Sequence, residues 1–146
     1  MQELKNRITG RYTEITEQDI IELETKYDFK FPECLKSFYL KYNAGKLEKN
    51  SYAAGENEFI FHSFYSIKHG YATLNDKMRS NYNDDWWPKK FIPFGYDGGG
   101  NSFCFSKDTG EIYYLYEDDS DDDENIPIVY LASDFLDFMN NMTEKK

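Results

Sequence analysis

The chain has 146 residues, with 27 Asp and Glu against 17 Lys and Arg, a formal charge of −10. That length fits one domain of about 100–200 residues, and an aromatic content of 18% excludes a disordered chain. The longest apolar runs, such as Ile112–Tyr116, have five residues, against the roughly 20 that a membrane-spanning helix needs.

Residues 1–12 are mixed and polar and fit a short helix or an arm. Thr16 can cap the first helix, with Asp19 at its third position as a near-variant of the capping box. Ile15 and Ile20 have the spacing of a hydrophobic staple, and Ile20, Leu23 and Tyr27 share one helical face. A second helix begins at Pro32, whose missing N–H is harmless in a first turn. Its apolar positions are Leu35, Phe38, Tyr39 and Tyr42, and Gly45 stands where a left-handed stop is wanted. The short Asp28–Phe31 link makes the two helices a packed pair.

The period then changes. Glu58–Phe64 is short and aromatic, and reads as a strand. Tyr71, Leu74 and Met78 have helical spacing over residues 68–80. Trp86-Trp87-Pro88 is a loop, Phe91–Phe94 starts a strand and Asp97–Asn101 is a turn. Ser102–Ser106 and Glu111–Glu117 form a hairpin around Lys107–Gly110, with Gly110 supplying the positive φ. Ile126–Tyr130 is a short edge strand, the place where Pro127 is tolerated. Ser133 caps the last helix, with Asp134 favourable at the positive end of its dipole and Phe135, Phe138, Met139 and Met142 as its buried stripe. Helices, then a hairpin-built sheet, then a closing helix predict a single α+β domain spanning residues 1–146. Its sheet is antiparallel or mixed, flanked by the N-terminal helix pair and the C-terminal helix.

The charge is concentrated. Seven of the eight residues Glu117–Glu124 are acidic, and without them the net charge would be −3. Asp84 and Asp85 continue the excess weakly. Such a run is either a solvated, self-repelling loop or a docking surface for a basic protein. A Ca²⁺ site is disfavoured, because the alternating Asp-x-Asp-x-Asn-Gly pattern with a distal Glu is absent. Nucleic acid is disfavoured as a direct partner, since its phosphates would be repelled. The opening Met-Gln-Glu-Leu-Lys-Asn-Arg has no apolar core of a secretory signal, and the two cysteines build neither a disulfide framework nor a thiolate cage. A cytoplasmic location is expected.

Catalytic chemistry is hard to assemble from these residues. Gly98-Gly99-Gly100 lies between two strands with no Lys following, so it reads as a turn or bulge, not a phosphate cradle. His62 and His69 lack Cys or Glu at ligand spacing, so no metal or cofactor is expected. His62 fits a hydrogen-bonded structural imidazole, Cys34 a small residue near a helix start and Cys104 a strand residue. Nothing resembles a nucleophile elbow. Trp86 and Trp87 stand between Asn83-Asp84-Asp85 and Pro88-Lys89-Lys90. One of them fits the core, and the pair fits an exposed apolar anchor of the kind that dominates binding interfaces.

Several segments together resemble the SMI1/KNR4 family, also called the SUKH superfamily. They are Ile20–Glu24 (Ile-Ile-Glu-Leu-Glu), Phe31-Pro32 where the family usually has Leu-Pro, then Leu35, Phe38, Tyr39 and Asn43-Ala44-Gly45. Phe64-Tyr65-Ser66-Ile67 follows, and Ile92-Pro93-Phe94-Gly95 with Asp97–Phe103 matches the central glycine motif. Ile112-Tyr113-Tyr114 and Ala132–Phe138 resemble the closing strand and helix. The resemblance spans about residues 16–142. Ala44 departs from the usual Asn-Gly-Gly, and the dense acidic loop is this member's own. The resemblance implies an α+β domain and, in bacteria, an immunity protein that blocks a cognate toxin, often a nuclease. Eukaryotic relatives are regulators linked to cell-wall synthesis. The motif residues look structural, and none transfers as catalytic.

The combined expectation is a non-enzymatic protein that binds a basic toxin domain. Glu117, Asp118, Asp119, Asp121, Asp122, Asp123 and Glu124 would steer and pair with its Arg and Lys. Trp86 and Trp87 would anchor it, beside Asp84 and Asp85. The rival readings are a regulatory scaffold and an enzyme using scattered residues such as His62 and Asp97. Composition leaves the oligomeric state open.

Overall fold

The computed structural model describes residues 4–10, 13–70, 72–83, 87–117 and 127–144. Thr16 opens the first helix through a full capping box. Its hydroxyl accepts the Asp19 N–H at 3.3 Å, and the Asp19 carboxylate accepts the Thr16 N–H at 3.0 Å. Helix α1 (Glu17–Tyr27) buries Ile20, Leu23 and Tyr27, with Ile15 buried on the other side of the cap. Helix α2 (Glu33–Tyr42) follows, with Pro32 at its N-cap, one residue ahead of the expected first-turn position.

Asn43, not Gly45, makes the left-handed stop of α2, at φ 43. Asn tolerates that conformation, and here its buried amide is fully used. Asn43 Nδ2 donates to the carbonyls of Thr13 and Ile67, each at 2.9 Å, and its Oδ1 accepts the Ile67 N–H at 2.7 Å. Ala44 then sits at φ 105 with its methyl buried, a conformation that costs a non-glycine residue about 1–2 kcal/mol.

Of the two readings of residues 1–12, the described part is an arm. Strand β1 (Ile8–Thr9) pairs antiparallel with β2 (Lys46–Leu47). Strands β3 (Ser51–Ala54) and β4 (Asn57–Ile60) form a second antiparallel pair. The single strand expected over Glu58–Phe64 is thus divided: β4 belongs to this pair and β5 (Ser63–Phe64) to another sheet. Helix α3 (Leu74–Asn83) starts later than residue 68. Lys68 is left-handed at φ 67 and a bridge joins Ser66 to Thr73, so the chain turns before the Thr73 hydroxyl accepts the Asp76 N–H.

The main sheet is antiparallel throughout, in the order β5, β6 (Phe91–Tyr96), β7 (Ser102–Ser106), β8 (Ile112–Leu115) and β9 (Ile128–Ala132). Its strands lie in chain order, with α3 between β5 and β6, and Gly110 closes the β7–β8 hairpin at φ 79, as turn chemistry predicts. Helix α4 (Phe135–Asn140) is capped by Asp134 rather than Ser133, because the Asp134 carboxylate accepts the Asp137 N–H at 2.7 Å. On one face of the sheet Phe94, Phe103, Phe105, Ile112 and Tyr114 join the apolar stripes of α1, α2 and α4 in one large core.

Gly95 is the tightest point of that core. A Cβ there would lie 2.2 Å from the Phe61 ring, and that ring is held by Phe64, Phe94 and Phe103. Overpacking of this kind costs about 1–3 kcal/mol. Gly95→Ala is therefore expected to lower urea stability by about 2–3 kcal/mol, while Gly98→Ala, which meets nothing within 4 Å, stays within about 0.5 kcal/mol. Equal midpoints for the two variants would refute this packing.

Candidate partner-binding face

Pleating sends Cys104 to the side of β7 opposite Phe103 and Phe105. There it packs with Trp87, Phe91 and Leu115, with Tyr113 against them, in a second and smaller cluster. Trp87 is only 2% exposed and its indole N–H donates to the Phe91 carbonyl at 3.1 Å. Expected as a surface anchor, Trp87 is instead the lid of this cluster. Its apolar area is spent on Cys104 and Leu115, and its ring is not presented to a partner. Trp86, Asp84 and Asp85 lie outside the described residues.

Glu117, the first residue of the acidic run, is also held inside. Its side chain is 9% exposed, with one carboxylate oxygen 2.8 Å from Lys77 Nζ and the other accepting the Ser102 hydroxyl. Lys77 reaches it from α3, passing 5.8 Å from the Trp87 ring and 5.9 Å from the Tyr65 ring. A carboxylate this enclosed needs a paired cation and hydrogen bonds to offset desolvation. Glu117 thus roots the run and is not one of the free charges expected to steer a partner. Burial pushes the Tyr65 phenol up. Burial also pushes the Cys104 thiol well above its ordinary value, with the Glu117 charge adding to it. Neither group is a nucleophile at neutral pH.

The described residues that flank the run are joined. The Tyr116 N–H donates to the Pro127 carbonyl at 3.0 Å, which continues the β8–β9 pairing up to residue 116 on one side and residue 127 on the other. Asp118, Asp119, Asp121, Asp122, Asp123 and Glu124 lie outside the described residues. The structure nevertheless relates the two segments singled out in sequence, because Lys77 bonds Glu117 and lies over Trp87 on the same side of the sheet.

Sequence reasoning missed two residues on this side. Ile128 is 42% exposed and Tyr130 50% exposed. They pair with Leu115 and Tyr113, so their side chains share the Trp87 face. Tyr130 meets the Tyr113 ring edge-on at 5.6 Å. The signal was present as alternation in Ile128-Val129-Tyr130, next to a Pro that marks an edge.

The residues weighed for catalysis are otherwise engaged. His62 is exposed, stacks on Tyr96 and has Nδ1 2.9 Å from Ser63 Oγ. Cys34, in the first turn of α2, has its thiol pushed up by burial. Among the described residues no group of three or more His, Cys, Asp or Glu side chains is placed to hold a metal ion. No described helix is long and apolar enough to cross a membrane.

The sequence profile of the SMI1 / KNR4 family (SUKH-1) matches residues 14–141. The chain belongs to that family. The SPbeta prophage-derived uncharacterized protein YokK of Bacillus subtilis (strain 168) is 24% identical to it, over 93% of this chain and 79% of its own length. In this family member the central glycine motif is a turn organised by Asp97. Asp97 Oδ1 accepts the N–H groups of Gly99 and Asn101 at 2.9 and 3.0 Å, and its other oxygen accepts the Tyr114 hydroxyl. Burial alone would raise this carboxyl, but the hydrogen bonds from Tyr114, Asn101 and Gly99 outweigh it and hold Asp97 below the usual carboxylate range.

Two outcomes follow from this geometry. A folded-state value depressed below the unfolded one gives stability that is present above the unfolded value of about 3.9 and is lost as pH falls through the folded value. The stability gap between the wild type and Asp97→Asn should therefore be constant near neutral pH and shrink below about pH 4, as read by urea titration. For the buried pair, Lys77→Met leaves Glu117 charged without its cation and should cost roughly 2–3 kcal/mol. Glu117→Gln in that background should recover part of the loss. Strictly additive effects in the double-mutant cycle would show that the pair is not coupled.

Proposed function

We propose that this chain is a non-enzymatic immunity protein that binds a basic toxin domain and occludes its working surface. The observation that carries the reading is family membership over residues 14–141, since an immunity role is common among bacterial members. Electrostatics support it. A nuclease must offer a cationic surface to phosphate, and a chain of net charge −10 with six acids in Asp118–Glu124 imitates that phosphate. Complementary charge accelerates encounter to as much as about 10⁸–10⁹ M⁻¹s⁻¹ at low salt, which suits an inhibitor that must intercept a toxin.

The roles divide. Glu117 fixes the start of the run through Lys77 and Ser102. Asp118, Asp119, Asp121, Asp122, Asp123 and Glu124 attract the partner, and Asp84, Asp85 and Trp86 add to the contact. Trp87 is structural, buried on Phe91, Cys104 and Leu115.

Replacing the six acids of Asp118–Glu124 by Asn and Ser, with Glu117 kept, should slow association with a cognate basic toxin domain at least tenfold. It should also flatten the salt dependence, with thermal stability unchanged. Stopped-flow kinetics measure this, and an unaltered rate would remove the run from the mechanism. His62→Ala should protect toxin-expressing cells as well as the wild type does. Loss of protection in a folded His62→Ala protein would favour an enzymatic role instead.

A further inference from the structure

Strand β9 forms one side of the main sheet, and no described strand pairs with its outer edge. The hydrogen-bond phase shows which groups that edge offers. Tyr116 donates to Pro127, so in an antiparallel ladder the next hydrogen-bonded pair is Tyr114–Val129. The intervening pairs, Leu115–Ile128 and Tyr113–Tyr130, are of the other kind. The backbone N–H and C=O groups of Ile128 and Tyr130 therefore point away from β8, to the side where no described strand pairs. The opening ends at Leu131, the extra residue of a bulge, whose carbonyl accepts the Tyr52 hydroxyl at 2.7 Å.

Natural edges are guarded by lysines, internal prolines, inward charges or a covering element. Ile128-Val129-Tyr130-Leu131-Ala132 carries no charge and no proline. Beside backbone groups that no described strand pairs lie the half-exposed side chains of Ile128 and Tyr130. A second copy is a poor occupant, since each copy carries −10 and brings its own acidic run to the Pro127 end. A cationic chain is drawn to the same place.

We propose that this edge receives an extended segment of a cationic protein partner, which adds as a sixth strand along Ile128–Tyr130. Its alternate side chains are apolar and rest on Tyr113, Ile128 and Tyr130, and its Lys or Arg residues lie toward Pro127. Main-chain bonds supply the grip and the alternating side chains the selectivity, as in other strand additions. This inference rests on the immunity reading and specifies how the partner is held.

The test uses the full chain and two synthetic nine-residue peptides, each alternating Val with Thr and ending in three Lys or in three Glu. In NMR amide exchange, the Lys-ended peptide should slow exchange at Ile128 and Tyr130 at least tenfold and leave Val129, already bonded to β8, unchanged. The Glu-ended peptide should bind at least tenfold more weakly. Tyr130→Pro removes an outward donor without touching the ladder, and should weaken the Lys-ended peptide at least tenfold. If that variant does not fold, Tyr130→Lys, which keeps the strand and repels cations, should show the same loss. Absence of protection at millimolar peptide overturns the proposal. So does equal binding of both peptides, equal binding to wild type and variants, or protection that follows protein concentration alone. Toxin neutralisation that survives Tyr130→Lys removes the edge and leaves the immunity reading standing. Peptide capture at the edge without any neutralisation does the reverse.

Discussion

All five residues of β7 are buried, and that double burial governs the rest of the architecture. A strand covered on both sides obliges the chain to provide two covers. One is the large aromatic core under α1, α2 and α4, where Phe61, Phe94, Phe103 and Phe138 meet ring to ring. The other is thin: Trp87, Phe91, Cys104 and Leu115, with α3 lying against β6. A carboxylate caught beneath the thin cover must be neutralised where it stands. Lys77 does this for Glu117, with Ser102 completing its hydrogen bonds.

That arrangement separates anchoring from recognition. The fold is shared by proteins of unlike roles and does not itself dictate what is bound. In this family member the parts that belong to the fold, such as the Asp97 turn and the Asn43 stop, are saturated with internal hydrogen bonds. Among the described residues the part left open is apolar, the half-exposed Ile128 and Tyr130, close to the Tyr116–Pro127 bond.

Local chemistry made much of this readable. The Thr16–Asp19 box and its staple located α1, and the Gly110 turn located the β7–β8 hairpin. Two adjacent cap formers, Ser133 and Asp134, look alike in sequence, and only the reach of the Asp134 carboxylate to Asp137 N–H separates them. Strands β1 to β3 escaped notice because they are two to four residues long, and pieces such as Ser-Tyr-Ala-Ala carry no alternation, while β4 was merged with β5 into one strand. Trp87 and Glu117 were misjudged for another reason. Each stands beside a polar or acidic stretch, whereas Trp87 is buried on Cys104 and Leu115 and Glu117 is enclosed by Lys77 and Ser102, all distant in sequence. Fold class could be read from short-range patterns, and the enclosure of single side chains could not.

The bond between Tyr116 and Pro127 has an evolutionary corollary. A connection whose two feet are pinned by the scaffold can be rewritten without disturbing it. Doubling such a connection adds only about 0.6 kcal/mol of closure entropy, so insertions, deletions and charge swaps there are nearly neutral for folding. That one stretch can therefore diversify as a replaceable cassette, while the pleated body that carries it stays the same.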